Sequence, residues 1–218
     1  MGNRSAQAKH SSPGHRSGRD AEATKRRILD AAEAEFSRHG LKGARVDAIA
    51  RGAGVTTAMI HYYFDNKEGL YKAVLQRPAT EFRDIMASLN LPQRSSAEAL
   101  RAFIRAAIAY EAKHPYRGML WFQEAQQNQG EYFKLSTESW ADTFSYLTGI
   151  LERGMGDGSF RQFDPALETV HILGVCIFYF NIHENWKHLV PEVDRLGPEA
   201  VEKHTQAAIA LILSGIEA

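Results

Sequence analysis

Residues 46–64 read VDAIARGAGVTTAMIHYYF. Two short helical stretches, Val46 to Gly52 and Thr57 to Tyr63, flank a turn containing Gly54. Ile49 and Ala50 give the first an inward face. Thr56 is placed to cap the second, since its hydroxyl can accept from the free N–H groups of a helix start. A helix-turn-helix needs a small residue where its helices cross, a glycine in the turn, and an apolar residue holding the second helix down. Ala50, Gly54 and Ile60 supply these. Many helical hairpins share the pattern, so its surroundings decide.

Upstream, Ile28, Ala31, Ala32 and Phe36 repeat at helical spacing from Asp20 onward, with Glu35 the polar exception and Gly40 a C-terminal stop. Lys25, Arg26 and Arg27 near the start of that helix oppose its dipole, which hints at phosphate contact. Residues 1–19 hold Arg4, Lys9, Arg16 and Arg19 without an acid or an apolar period. They read as a disordered basic tail. Downstream, Asp65 or Asn66 caps a helix from Lys67, with Leu70, Ala73 and Val74 inward and Pro78 expected to kink or split it.

Charge follows the same division. The 26 Lys+Arg and 26 Asp+Glu cancel over 218 residues, yet residues 1–75 carry net +5 and the remainder net −5. A small polyanion-binding module on a larger acidic body fits that asymmetry.

Beyond Asn90 the pattern is helical throughout. Ser95 to Glu98 matches a capping box, and Leu100, Phe103, Ile104, Ala107, Ile108 and Glu111 share one face. His114-Pro115 separates that helix from one carrying Met119 to Phe122. A helix over 132–153 has Trp140, Phe144, Leu147 and Leu151 on one stripe and ends at Gly154, Gly156 and Gly158. Asp164-Pro165 opens a helix to about Trp186, and the last covers about Glu199 to Ser214. No alternating strand is evident, so the class is all-α with about nine helices. The organisation is a tail (1–19), a three-helix reader (20–66), a connecting helix (67–90) and a helical body (91–218).

Other classes are disfavoured. The longest apolar run, Thr169 to Ile182, has 14 residues and includes His171. That is short of a membrane span and reads as a buried helix. No signal-peptide core opens the chain, so a cytoplasmic protein is expected. One cysteine, Cys176, excludes an internal disulfide, and its apolar setting suits an inert thiol. No G-x-S-x-G or H-E-x-x-H motif occurs, and no catalytic residue or cofactor is assigned. Gly154, Gly156 and Gly158 follow a helix rather than a strand, against a dinucleotide loop. Of the candidate ligands His171, Cys176, His183 and His188, His171 and His183 lie roughly 18 Å apart on one helix and cannot share an ion, and His183 and His188 are poorly spaced for chelation. A purely protein-binding helical scaffold remains as the rival, and predicts no salt-dependent DNA affinity.

Residues 24–75 resemble the DNA-binding domain of the TetR (tetracycline-repressor) family of bacterial transcription regulators. Thr24, Ile28, Ala31, Ala32, Phe36, Gly40, Ile49, Ala50, Ala53, Gly54, Val55, Thr56, Tyr62, Tyr63, Phe64, Lys67, Leu70 and Val74 carry the match. The rest is similar in overall plan only. The resemblance implies a homodimer through the last two helices, a ligand pocket in the body, and repression of a near-palindromic double-stranded DNA operator, relieved by a small molecule.

Side-chain chemistry points to the same contacts. A recognition helix presents its first residues to base edges. Thr56 and Thr57 can meet phosphate, base or a thymine methyl, and Ala58 permits close approach. His61 lies one turn on. Tyr62 and Tyr63 suit phosphate, although Tyr63 equally suits the core. Lys67 stands at a helix start, where its ammonium and free N–H groups can hold a phosphate. Arg45 replaces the family's usual capping Thr and offers another phosphate contact, and His61 stands where Tyr is common. In the body, Phe103, Tyr110, Trp121, Phe122, Trp140, Phe144, Phe178 and Tyr179 are candidate walls of an apolar or aromatic pocket. Glu124, Gln127, Asn128, Asn181 and His183 are its candidate polar groups. Val170, Leu173, Gly174, Ile177, Ala208 and Ile212 are the expected dimer stripes.

Overall fold

A computed structural model describes residues 14–134 and 137–218. Most of the expected tail lies outside them. Its last part does not remain unstructured, because the first helix already begins at Gly14.

The reader is built from α1 (Gly14–Gly43), α2 (Val46–Ala53) and α3 (Thr57–Phe64). Gly40 interrupts α1 with φ 62° and ψ −179°. Gly54 ends α2 in the left-handed region (φ 64°), where glycine avoids the Cβ penalty. Its N–H donates to Arg51 O, and that of Val55 to Ala50 O, closing the helix end. The Thr56 hydroxyl accepts from Met59 N and starts α3. Ile28, Ala32, Phe36, Ile49, Ala50, Ala53 and Ile60 form one buried core with Leu70, Tyr71 and Val74. Leu120, from the body, completes that core.

Asn66 caps α4 (Lys67–Ser88), accepting from Gly69 N. Pro78 does not split this helix. Its missing N–H forfeits one backbone bond, but Pro78, Ala79 and Phe82 are buried on the face that holds α4 against the body.

A 3₁₀ turn (Leu91–Gln93) leads into α5 (Ser96–Lys113), opened by the Ser95–Glu98 capping box. Then follow α6 (Arg117–Asn128), α7 (Glu131–Lys134), α8 (Thr137–Gly156), α9 (Pro165–Asn181), α10 (His183–Trp186) and α11 (Pro198–Ile216). Eleven α-helices are described rather than nine. The helix expected over 132–153 is described as α7 and α8. The helix expected to reach Trp186 leaves helical geometry at Ile182 (φ −95°, ψ 0°), which periodicity could not reveal. The central α5 packs against α4, α8, α9 and α11. Its Leu100, Phe103, Ile104 and Ile108 are fully buried in a second core.

Two expectations need correction. The apolar run in α9 is buried on one face only, through Thr169, Ile172, Cys176 and Phe180, while Leu167, Val170 and Phe178 are exposed. On α11, Ala208 and Ile212 belong to the chain's own core, so they cannot form a dimer stripe. The outward α11 face instead carries Ala207, Ala210, Leu211 and Ser214, with Leu211 65% exposed. Both stripes obey helical spacing, and only packing on α5 tells which faces inward.

Candidate DNA interface and ligand cavity

The reader's outward surface is the start of α3. Thr56, Thr57, Ala58, His61 and Tyr62 are all exposed, Tyr62 by 82%. The Tyr62 ring rests edge-on against Tyr63 at 5.1 Å between centres and otherwise faces outward, where its phenol can meet another molecule. His61 Nδ1 lies 2.9 Å from Asp65 O, which orients the ring. Tyr63 is half-buried against the reader core, with the Lys25 ammonium 5.9 Å from its ring centre. Lys67 Nζ donates to Ala44 O at 3.1 Å, so its charge is anchored at the joint of α1, α2 and α4. Arg45 does not cap α2; its guanidinium pairs with Asp47 at 3.2 Å and is largely exposed.

Beneath the reader lies a cavity of about 460 Å³ between α4, α5, α6, α8 and α9. Tyr110, Trp121, Trp140, Phe144, Phe178 and Asn181 line it, as does Phe122. Val170, Gly174 and Phe178 are exposed as well as lining, so the cavity opens along α9. Other candidates lie elsewhere. Phe103 is fully buried in the second core, edge-on to Phe82 at 5.7 Å between ring centres. Glu124 is buried and accepts from Tyr71 Oη, Asn128 Nδ2 and the Tyr132 and Phe133 backbone N–H groups. Its oxygens are thus used to tie α4, α6 and α7 together. Gln127 sits against Gly40. Tyr179 stacks on His204. His183 Nδ1 lies 2.7 Å from Phe180 O.

The sequence reading missed the charged wall of the cavity. Arg117 is 3% exposed, yet it is the first residue of α6. Its Nη2 lies 2.8 Å from Glu33 of α1, and its Nη1 lies 2.6 Å from Glu81 of α4. Tyr110 Oη also meets Nη1, and donates to Glu81 at 2.9 Å. Arg77 adds pairs to Asp30 at 2.6 Å and Glu81 at 2.7 Å. Burial opposes ionisation of Glu81, but Arg117 and then Arg77 prevail and hold its carboxyl down at about 2. A signal for Arg117 was legible, since a cation at a helix start opposes the dipole and needs another reason to be there.

Glu111 also lines the cavity, and its Oε2 has no hydrogen-bond partner. Burial pushes its carboxyl up to about 7, against the nearby Arg117 and with the help of Glu33. Between the ordinary carboxylate value of 4.5 and about 7 the folded chain keeps a proton that the unfolded chain has released. Stability therefore falls as pH rises through that window. Glu111→Gln is expected to be neutral near pH 4.5 and to gain up to about 3 kcal/mol by pH 8. Urea denaturation at both pH values checks this; equal effects at the two would refute it.

Among the described residues no group of three or more His, Cys, Asp and Glu could hold a metal, and no helix is long and apolar enough to cross a membrane. Cys176 is buried with its thiol pushed up to about 12 by burial.

Comparison with known proteins agrees with this geometry. The family model "Bacterial regulatory proteins, tetR family" matches residues 28–74, and "Tetracyclin repressor-like, C-terminal domain" matches residues 93–181. The HTH-type transcriptional repressor NicS of Pseudomonas putida is 30% identical over 73% of this chain and 76% of its own length. The chain belongs to the TetR family. It is therefore a DNA-binding transcriptional regulator. A second TetR-type relative, the repressor SCO4008 of Streptomyces coelicolor, is 29% identical over 82% of this chain and 85% of its own. Both relatives are HTH-type transcriptional repressors. Among solved TetR-type folds, the fatty acid degradation regulator FadR of Bacillus halodurans superposes with a TM-score of 0.69 at 23% identity, covering 87% of this chain and 98% of that one. FadR of Bacillus subtilis, solved with stearoyl-CoA, gives 0.69 at 22%, covering 88% and 99%. At these identities the likeness is one of fold.

Proposed function

We propose that this chain acts in the cytoplasm as a homodimeric repressor, released from a near-palindromic operator when a small, mostly apolar or aromatic molecule fills the cavity. The observation that carries this is Arg117. It lines the cavity and is ion-paired with Glu33 of α1 and Glu81 of α4. A ligand that moves Arg117 moves a partner on each helix leading to the reader. Release requires that it bind the two arrangements with different affinity.

The exposed apolar faces of α9 and α11 are the proposed dimer surface, with Leu167, Val170, Phe178 and Leu211 in place of Ala208 and Ile212. A two-fold interface there sets two readers on two half-sites. Thr56, Thr57, Ala58 and His61 are assigned to base edges. Arg45, Tyr62, Tyr63 and Lys67 are assigned to phosphates.

Selection of genomic fragments on purified protein at two salt concentrations tests the reading. A recovered near-palindrome with salt-dependent affinity supports it; no enrichment after denaturing and refolding, which strips bound ligand, overturns it. Within that assay, Lys67→Ala is expected to weaken every sequence and flatten the salt slope, whereas changes at Thr57 or His61 shift preference among sites. Uniform effects of all three would remove the base-readout assignment.

A further inference from the structure

We infer that the cavity is built for an organic cation, an aromatic or apolar amine or quaternary ammonium, whose charge is met by Glu111. This rests on the reading of the cavity as the effector site, and adds the chemistry of the effector.

The charge inventory decides the sign. Glu111 and Arg117 are the charged residues on the lining. Both terminal nitrogens of Arg117 already face carboxylates, at 2.8 Å and 2.6 Å. Around them, Asp30, Glu33, Glu81 and Glu111 outnumber Arg77 and Arg117, and burial with Arg117 nearby lowers the His114 pKa. The excess is negative, and Glu111 is the acid left without a paired cation or hydrogen bond. An anionic head group would meet that carboxylate with no unspent cation to offset it.

The remaining polar lining agrees. Asn181 Oδ1 is a buried acceptor without a partner, and Thr143 Oγ1 is likewise unpaired. Asn181 reaches this position because α6 has glycine at 118, where a Cβ would fall 1.9 Å from Oδ1. Unpaired buried acceptors are costly, and a ligand bearing N–H or polarised C–H donors satisfies them. Three donors without a hydrogen bond, Trp140 Nε1, Arg117 Nε and Arg117 Nη2 (the last ion-paired with Glu33 at 2.8 Å), leave room for one acceptor elsewhere on the molecule. Seven of the nineteen lining residues are aromatic, Trp121, Phe122, Trp140, Phe144 and Phe178 among them. Ring faces attract cations, the more so when water is excluded. A buried ammonium–carboxylate pair also replaces an uncompensated acid with a compensated one.

Three naphthylmethyl compounds of the same body separate the possibilities: the trimethylammonium, the alcohol and the carboxylate. Binding to the full-length protein is read by quenching of tryptophan fluorescence, since Trp121 and Trp140 wall the site, and by calorimetry. The trimethylammonium is expected to bind at least about tenfold tighter than the alcohol, and the carboxylate weakest. Its affinity should rise from pH 6 to pH 8, because the probe does not titrate. The groups facing Glu111 are Tyr110 on its own helix, Arg117 from α6, Glu33 from α1 and the Cys176 thiol from α9; burial pushes the Tyr110 phenol and the Cys176 thiol far above that range, and Arg117 stays a cation. Glu111→Gln should erase the preference for the cation over the alcohol; retention of that preference overturns the assignment of Glu111. Should that variant not fold, the ranking of head groups on the unaltered chain decides alone. If the alcohol or carboxylate binds as tightly as the cation, the charge inference falls while the effector site stands. If none of the three binds, both fall.

Discussion

Arg117→Ala is expected to destabilise the chain by about 3–5 kcal/mol. Truncation removes the closer guanidinium from Glu33 and Glu81 and leaves Arg77, 3.8 Å from the first and 2.7 Å from the second, as their remaining shared cation. Removing the acids as well should recover much of the loss, because a buried ion pair is worth little against a neutral replacement. Arg117→Met with Glu33→Gln and Glu81→Gln is the comparison to make by urea denaturation. A loss below about 1 kcal/mol for the single variant would show that water enters the seam and screens the acids. The same substitution cuts the proposed link from cavity to reader. In a protein stabilised enough to tolerate it, operator binding should persist while release by ligand fails.

The second large effect is at the reader. Ala58→Glu should reduce operator affinity by roughly a thousandfold and leave the fold intact. Ala58 is exposed in the first turn of α3, where a carboxylate suits the helix dipole. The chain therefore loses nothing by accepting the side chain. Opposite DNA, the same carboxylate adds bulk at a close approach and a negative charge facing phosphates. Ala58→Gln adds the bulk without the charge and should fall between. Fluorescence anisotropy with the recovered operator measures all three; binding of A58E within tenfold of the parent would remove α3 from the interface.

The reader was legible because its signals are local. Gly54, Thr56 and Asn66 each fix a helix end through backbone atoms within a few residues, so a linear reading finds them. The body was legible in its stripes but not in their orientation. Ala208 and Leu211 lie one helical turn apart, and the sequence offers no way to know that α5 covers the first and leaves the second bare. The cavity's apolar wall followed from aromatic content, as Trp121, Trp140 and Phe144 show. Glu124 reads in sequence as a polar ligand group but serves as an internal tie, since its partners lie on α4 and α7. Glu111 stood on the apolar face of its own helix, and Arg117 at a helix start. Both anomalies were visible, but their shared cause is a tertiary seam that joins residues 33, 81 and 117.

Leu120 gives the molecule a less obvious property. The core of the reader is finished by a residue from α6, and α1 packs along that same helix. Recombination between relatives at the end of the connecting helix would therefore hand a new reader the wrong lid. A chimera that transplants residues 1–90 alone should expose part of the donor's core, whereas one that carries α6 with it keeps the seam whole. Operator specificity in this chain is not a portable cassette; it travels with the helix that also walls the cavity.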